Sequence, residues 1–126
     1  MKLTGSEIEN VFEGLQALQD YKFDISTGCT IADLMREIKP KYIEIITGKD
    51  NIIKEYGDKN EEGKVILDDE NKAHIAPEFT EEVQKKLSDL YDKVYNIDCK
   101  YLQVEKLNKV ELPLKQITNL MPILDN

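Results

Sequence analysis

Residues 31–56 of this 126-residue chain read IADLMREIKPKYIEIITGKDNIIKEY, and this stretch decides the predicted fold. Its apolar residues recur mostly in steps of three and four, the spacing that aligns them on one face of an α-helix. They are Ile31, Met35, Ile38, Tyr42, Ile45, Ile52 and Tyr56. The stripe stays in phase across Pro40, so we expect a kink there and not a stop, although proline deletes one backbone hydrogen bond. We predict a long kinked helix over residues 30–56, opened by Thr30 and Asp33 and ended by a left-handed Gly57.

A second apolar stripe with the same spacing predicts another helix, over residues 78–96. It consists of Phe79, Val83, Leu87, Leu90, Val94 and Ile97. Pro77 and Thr80 mark its start, and acidic residues in its first turn favour it. The connection between the two stripes is short, and each stripe needs an apolar partner. We therefore expect an antiparallel pair of long helices.

The connection itself predicts a β-hairpin over residues 64–76, because two strand-like runs flank the acidic turn at residues 68–71. The hairpin would form the tip of the helix pair. No internal repeat is apparent along the chain.

Flanking elements complete the predicted fold. Thr4 and Glu7 form a capping box at the start of an amphipathic helix over residues 5–20, and alternation in residues 21–25 suits a brief strand. Residues 101–112 suggest a pair of short strands. Pro113 then opens a last helix over residues 114–121, with an apolar stripe of Leu114, Ile117, Leu120 and Met121. The predicted fold class is a single domain over residues 1–126, mainly α with a small antiparallel β component (α+β).

Composition limits the classes of partner. The chain has 25 acidic and 17 basic residues and a formal net charge of −8, which opposes binding to nucleic acid. The apolar runs are too short to span a membrane, and two cysteines without a secretory leader suit a reducing cytoplasm. Protein partners remain open, with acidic solubility as the default explanation for the charge.

The residues that carry chemistry are few. His74 is the only histidine and lies on the solvent side of a predicted strand, so a Cys/His arrangement forms only if Cys29 or Cys99 folds against it. A buried structural role is the preferred interpretation of Cys29. The sequence predicts no enzyme, no catalytic or metal-ligating residue and no cofactor.

One local pattern resembles a calcium-binding EF-hand loop. Residues 58–69 place oxygen ligands at loop positions one, three and five, glycine at six and a carboxylate at twelve. Glu62 at position five and the short Asp69 at position twelve depart from the motif, and no exiting helix follows. A solvated acidic turn is the alternative.

Three features together resemble an uncharacterised family of small acidic proteins from tailed phages and prophages of low-GC Gram-positive bacteria. They are the opening Leu3-Thr4 with its amphipathic helix, the junction over residues 53–63 (IKEYGDKNEEG) and the acidic hairpin. The end of the chain is similar to the family too, with Leu112-Pro113 followed by a closing apolar helix. The resemblance implies a phage accessory protein in the cytoplasm of the host bacterium. It supplies no catalytic residue.

We expect a non-enzymatic phage accessory protein that binds a host or phage protein. In one form of this hypothesis, the binding inhibits a host defence factor. One alternative is a structural or assembly component of the virion or lysis module, with homo-oligomers. Another is a calcium-binding module built on the 58–69 loop.

Overall fold

The computed structural model describes residues 1–125, in which helices predominate. The α-helices are α1 (Gly5–Leu18), α2 (Ile25–Tyr56), α3 (Thr80–Asp92) and α4 (Leu114–Leu120), and the strands are β1 (Lys2–Thr4), β2 (Val94–Asn96), β3 (Leu102–Gln103) and β4 (Leu124–Asp125). Short 3-10 turns cover Pro77–Phe79, Val104–Leu107 and Met121–Ile123. β1 pairs with β2 in antiparallel fashion. The predicted fold class, mainly α with a small antiparallel component, is confirmed.

Helix α1 begins as predicted. The Thr4 hydroxyl accepts a hydrogen bond from the Glu7 amide at 3.2 Å, and the Glu7 carboxylate accepts one from the Thr4 amide at 3.0 Å, which closes the capping box. The helix ends at Leu18, two residues earlier than predicted. Its apolar stripe is buried throughout.

Helix α2 begins at Ile25, five residues before the predicted start. The Asp24 carboxylate accepts a 2.7 Å hydrogen bond from the Thr27 amide and caps the helix. The predicted opening at Thr30 and the predicted strand over residues 21–25 are therefore wrong. The alternation there does not reflect a pleated surface, because Ile25 is 86% exposed and belongs to the first turn of the helix.

The same helix continues through Pro40 to Tyr56, a length of 32 residues or about 48 Å. It ends at Gly57 as predicted, but with extended backbone (φ −68°) and not in the left-handed region. Glycine is required there for another reason, since a Cβ would lie 2.7 Å from the Ile53 carbonyl oxygen.

The core occupies one half of the molecule, which we call the base: α1, residues 25–45 of α2, both strand pairs and α4. The Phe12 and Tyr42 rings stack with centroids 4.0 Å apart, and Gly14 lets α4 approach α1 so closely that a Cβ would meet Leu120 at 2.7 Å. The fully buried side chains include Ile8, Val11, Leu15, Leu18, Leu34, Ile38, Ile45, Ile97, Leu102, Leu120 and Ile123. β3 pairs in parallel with β4. The predicted pair of strands within residues 101–112 is therefore wrong, because the partner of residue 102 is Leu124 and residues 104–107 form a 3-10 turn.

The other half, which we call the arm, comprises residues 46–93. α3 runs antiparallel to α2, as the ion pairs Glu55–Lys86 (3.4 Å) and Glu44–Lys93 (3.3 Å) show. The predicted helix pair is thus present, but α3 ends at Asp92 instead of residue 96. Lys93 adopts extended backbone and the next three residues pair with β1, so strand pairing ends the helix before its apolar stripe does.

Residues 57–76, the tip segment, close the end of the arm. Of the hairpin predicted over residues 64–76, only the single bridge between Leu67 and Ala73 is present, and two further bridges, Lys59 with Val65 and Gly57 with Ile75, involve residues before it. The two turns of the tip segment, at residues 60–64 and 68–72, have the same structure. In each turn the first side chain, Asn60 or Asp68, accepts hydrogen bonds from two backbone amides. The fourth residue of each turn, Gly63 or Asn71, has a positive φ. Sequence reasoning missed this repeat of eight residues, because asparagine stands in for glycine in the second copy.

Candidate functional site

The structure separates the residues that a Cys/His site would need. Cys99 donates its thiol hydrogen to the Asp33 carbonyl at 3.4 Å, near the start of α2, whereas His74 lies beyond the end of α2 in the tip segment. The 23 helical steps from Asp33 to Tyr56 span about 35 Å. Neither cysteine therefore contacts His74, and the Cys/His arrangement does not form.

His74 is exposed, as predicted for the solvent side of its strand. Its Nδ1 atom lies 2.6 Å from an Asp58 carboxylate oxygen, a contact that sequence reasoning did not find. Both side chains are largely exposed to water, which weakens the interaction. The pair fastens two segments of the tip, and both cysteines lie far from it.

The acidic loop at residues 58–69 is a hairpin turn. The Asn60 side-chain oxygen is occupied by the amides of Glu62 and Lys64 at 2.9 and 3.0 Å, and the Asp58 carboxylate faces His74. Within residues 1–125, no group of three or more His, Cys, Asp or Glu side chains is placed to hold a metal ion. The geometry gives no support to the calcium alternative.

The two cysteines line one polar groove of about 510 Å³ between the start of α2 and residues 98–100. Cys29 is exposed on α2, so the expectation of a buried thiol is wrong. Burial raises the pKa of the Cys99 thiol, and the carboxylates of Glu37, Asp33 and Asp98 raise it further. These groups disfavour a reactive thiolate at Cys99.

The strongest candidate site is an exposed apolar surface at the C-terminal end of the chain. On one face of α4 and of the turn that follows it, Leu114 is 77% exposed, Met121 62% and Ile117 40%. Beside them lies a groove of about 250 Å³ lined by Val104, Leu107, Asn108, Val110, Leu112, Ile117, Leu120 and Leu124. We call the three exposed side chains and the groove together the C-terminal face.

Local structure explains why this face is open. Leu120 and Ile123 point into the base against α1, so the opposite side of the short helix α4 has no element over it. Tyr21 donates a 2.9 Å hydrogen bond to the Glu111 carbonyl and fastens the preceding segment to the end of α1. The apolar side chains are thus held on an anchored segment.

Charged residues of both signs border the C-terminal face. Lys106 and Lys109 line an adjoining depression that shares Val110 with the groove and also contains Lys22, Asp24 and Glu105. The pKa of the Asp24 carboxyl is lowered, first by hydrogen bonds from Thr27 and then by the field of the two lysines. Lys115, next to Leu114, pairs with Glu13 at 3.2 Å. This border therefore carries charges of both signs, since Asp24 and Glu105 lie among the lysines and Glu13 pairs with Lys115.

A second apolar surface lies on the tip segment. Ile66 is 49% and Leu67 52% exposed, and Leu67 lines a groove of about 460 Å³ with Ile53 and Val65 at the end of α2. Lys54, Lys59 and Lys64 line the same groove. The two apolar surfaces lie at opposite ends of α2, since Val110 shares its depression with Asp24 while the tip follows Tyr56.

Sequence reasoning found the helix that carries the C-terminal face but not the face itself. It placed all four apolar residues of that helix on one stripe, and only Leu120 among them is buried. A seven-residue helix with three large apolar residues, followed directly by Met121, is itself a signal of surplus apolar surface.

None of the helices in residues 1–125 combines the length and the apolar character that crossing a bilayer requires. Comparisons of the chain with protein-family models, with curated proteins and with solved structures found no match.

Proposed function

We propose that this protein is a non-enzymatic binding protein whose C-terminal face docks a segment of another protein. The observation that carries the proposal is the continuity of this face, on which an exposed helical stripe adjoins an apolar groove. Single exposed apolar residues are common on protein surfaces, whereas a contiguous patch with a polar border is typical of an interaction site.

The spacing of the exposed residues supports this mode of binding. Leu114, Ile117 and Met121 follow one another by three and four positions, the pattern by which a helix presents anchor residues to a partner. The neighbouring groove accepts an apolar side chain in return.

We also propose that this protein is not an enzyme and that it acts in the cytoplasm of a host bacterium. The non-enzymatic assignment is supported by the separation of His74 from both thiols. The resemblance to phage proteins supports a setting in the host cytoplasm, where the partner is a host or phage protein and inhibition of a host defence factor is one consequence of binding.

Photo-crosslinking tests the proposal. A photoreactive phenylalanine analogue replaces Leu114 in the full chain expressed in bacterial cells, and a matched protein carries it at Ile43, a half-exposed apolar residue on α2. We expect a discrete adduct from position 114 that is not formed from position 43. The substitution Met121→Ser should reduce the adduct, because it removes part of the same face.

Equal labelling from both positions, or no adduct from position 114, would overturn the proposal. The mass of the adduct identifies the partner, since a second copy of this chain adds 14.5 kDa.

A further inference from the structure

We propose that the groove between the start of α2 and the β3–β4 pair, which we call the polar groove, binds a small neutral saccharide. Its volume of about 420 Å³ lies within the range of about 300–1,000 Å³ that is typical of small-molecule sites. The polar groove shares no lining residue with the C-terminal face, so this proposal does not depend on the docking role of that face.

A buried hydroxyl gives the first indication of a ligand. Thr27 lines the polar groove in the first turn of α2 and is 3% exposed. Its amide donates to the Asp24 carboxylate at 2.7 Å, whereas its Oγ1 atom has no hydrogen-bond partner among residues 1–125. An unpaired buried hydroxyl costs folding free energy and is uncommon in proteins. A ligand hydroxyl that entered the groove beside Thr27 would supply the missing partner.

The other polar groups of the groove suit a ligand with several hydroxyls. Gln103 and Asp125 are register partners in the β3–β4 pair, and Gln103 Nε2 donates to an Asp125 carboxylate oxygen at 3.5 Å. Lys100 and Lys106 add ammonium groups to the lining. Hydrogen-bond donors and acceptors therefore line the same groove. Each hydroxyl of a saccharide both donates and accepts, so it can use groups of both kinds.

Charge favours a neutral ligand over an anion. The ammonium groups in the polar groove stand beside a carboxylate, that of Asp125. The N-terminus of α2, which would otherwise attract an anion, is already capped by the Asp24 carboxylate. Both carboxylates would repel an anion in the groove. A neutral ligand avoids this repulsion and still makes use of the donors.

Tyr101 supplies an apolar surface beside these polar groups. Its side chain lines the groove and is 45% exposed. A tyrosine ring combines an apolar body with a polar tip. One side of a sugar ring presents C–H groups that pack on an aromatic ring, while its hydroxyls reach polar groups around it. The polar groove therefore offers both kinds of contact that a saccharide makes.

An NMR titration of the isotope-labelled full-length chain tests the proposal. The probes are the methyl glycosides of glucose, galactose, mannose and N-acetylglucosamine. We expect at least one of them to cause saturable shifts at the amides of Thr27, Tyr101 and Gln103 but not at Ile66 in the tip segment. The absence of saturable shifts with every one of these glycosides would overturn the proposal.

Inorganic phosphate at matched ionic strength distinguishes a saccharide site from an anion site. It should cause no saturable shift at the same amides, because Asp24 and Asp125 repel it. Saturable shifts with phosphate and none with the glycosides would identify an anion site, and the proposal would be wrong.

Substitution of Thr27 examines the buried hydroxyl. Thr27→Val removes the hydroxyl and nearly keeps the shape, so it should weaken binding of the glycoside at least about tenfold. The same substitution should leave Tm unchanged or raise it, because it removes an unpaired buried polar group. Thr47→Val, on the exposed side of the same helix, is the matched control and should change neither binding nor the shifted amides. Unchanged binding by Thr27→Val, or a lower Tm, would contradict the role assigned to this hydroxyl.

Substitution of Tyr101 examines the aromatic contact. Tyr101→Ala should weaken binding at least about tenfold, whereas Tyr101→Phe should retain most of it, because the ring remains. Equal binding by the alanine variant and the natural chain would contradict packing of the saccharide on this ring.

Discussion

The base and the arm contain the same kind of apolar helical stripe but bury it to different extents. In the base, side chains such as Leu15, Leu34 and Ile38 have no exposed surface. In the arm, from residue 46 to residue 93, Val83 at 9% exposure is the only buried apolar side chain. The difference arises because α2 is covered in the base by α1 and by segments from the C-terminal half, whereas in the arm only α3 and the tip segment cover it.

This comparison teaches that an amphipathic pattern specifies a helix and its inward face but not the depth of burial. The hydrophobic stabilisation scales with the apolar area removed from water, so most of it belongs to the base. Contacts across the arm, such as Leu90 against Gly48, hold α3 on α2 without forming a closed core. We therefore expect the arm to open at a lower free energy than the base.

The largest expected effect of substitution lies in the base. Ile38→Ala should lower the free energy of unfolding by about 2–5 kcal/mol, because it leaves a cavity in a fully buried site. Denaturant unfolding measures it. The matched control is Ile43→Ala on the same helix, where the side chain is half exposed and the loss should be below about 0.5 kcal/mol. Similar losses at both positions would contradict the assignment of the core to this face of α2.

A smaller effect is expected in the arm. Val83→Ala should lower the opening free energy of α3 by about 1–2 kcal/mol, because two buried carbons are removed. Amide hydrogen exchange should show faster exchange in α3 and unchanged protection in α1. The exposed neighbour substitution Gln84→Ala serves as the control. An equal loss of protection in both helices would show that arm and base unfold as one unit.

The cap at the base end of α2 predicts a pH dependence. The pKa of Asp24 is lowered in the folded protein, so its stabilisation is complete above the ordinary value of 3.8 and is lost as pH falls through the lowered folded value. Asp24→Asn keeps a capping oxygen without the charge. The difference in Tm between the two proteins should therefore favour the natural chain at neutral pH and shrink below pH 3.8. A difference independent of pH would contradict this.

The smallest effect is expected where base and arm meet. Glu44 and Lys93 form an ion pair at 3.3 Å with both side chains more than half exposed. Glu44→Gln should change the free energy of unfolding by less than about 0.5 kcal/mol, because water screens the pair. Thermal denaturation at low and high salt measures it. A loss above about 1 kcal/mol would indicate that this pair, and not the packing of α3, fastens the arm to the base.

Much of the fold could be predicted from local sequence signals. The capping box at Thr4 fixed the start of α1, and Pro77 with Thr80 placed the start of α3 to within two residues, because these signals act within one helical turn. The start of α2 was misplaced because Thr30 and Asp33 imitate a cap that Asp24 provides. The end of α3 was misplaced because strand β2 is specified by its distant partner β1.

The candidate site was harder to predict. The sequence predicts a short apolar helix at residues 114–121, but which of its side chains are buried depends on where α1 lies. Gly14 and Leu120 settle that point by direct packing.

The sequence by itself determined that the four helices exist, the cap of α1, the turn at residues 68–71 and the acidic balance, because periodicity, capping and turn chemistry act over a few residues. Tertiary structure alone decided where α3 ends, which partner β3 takes, how far His74 lies from the cysteines and which side of α4 faces water. Each of these depends on contacts between residues far apart in the chain, and such contacts are fixed only when the whole core packs together.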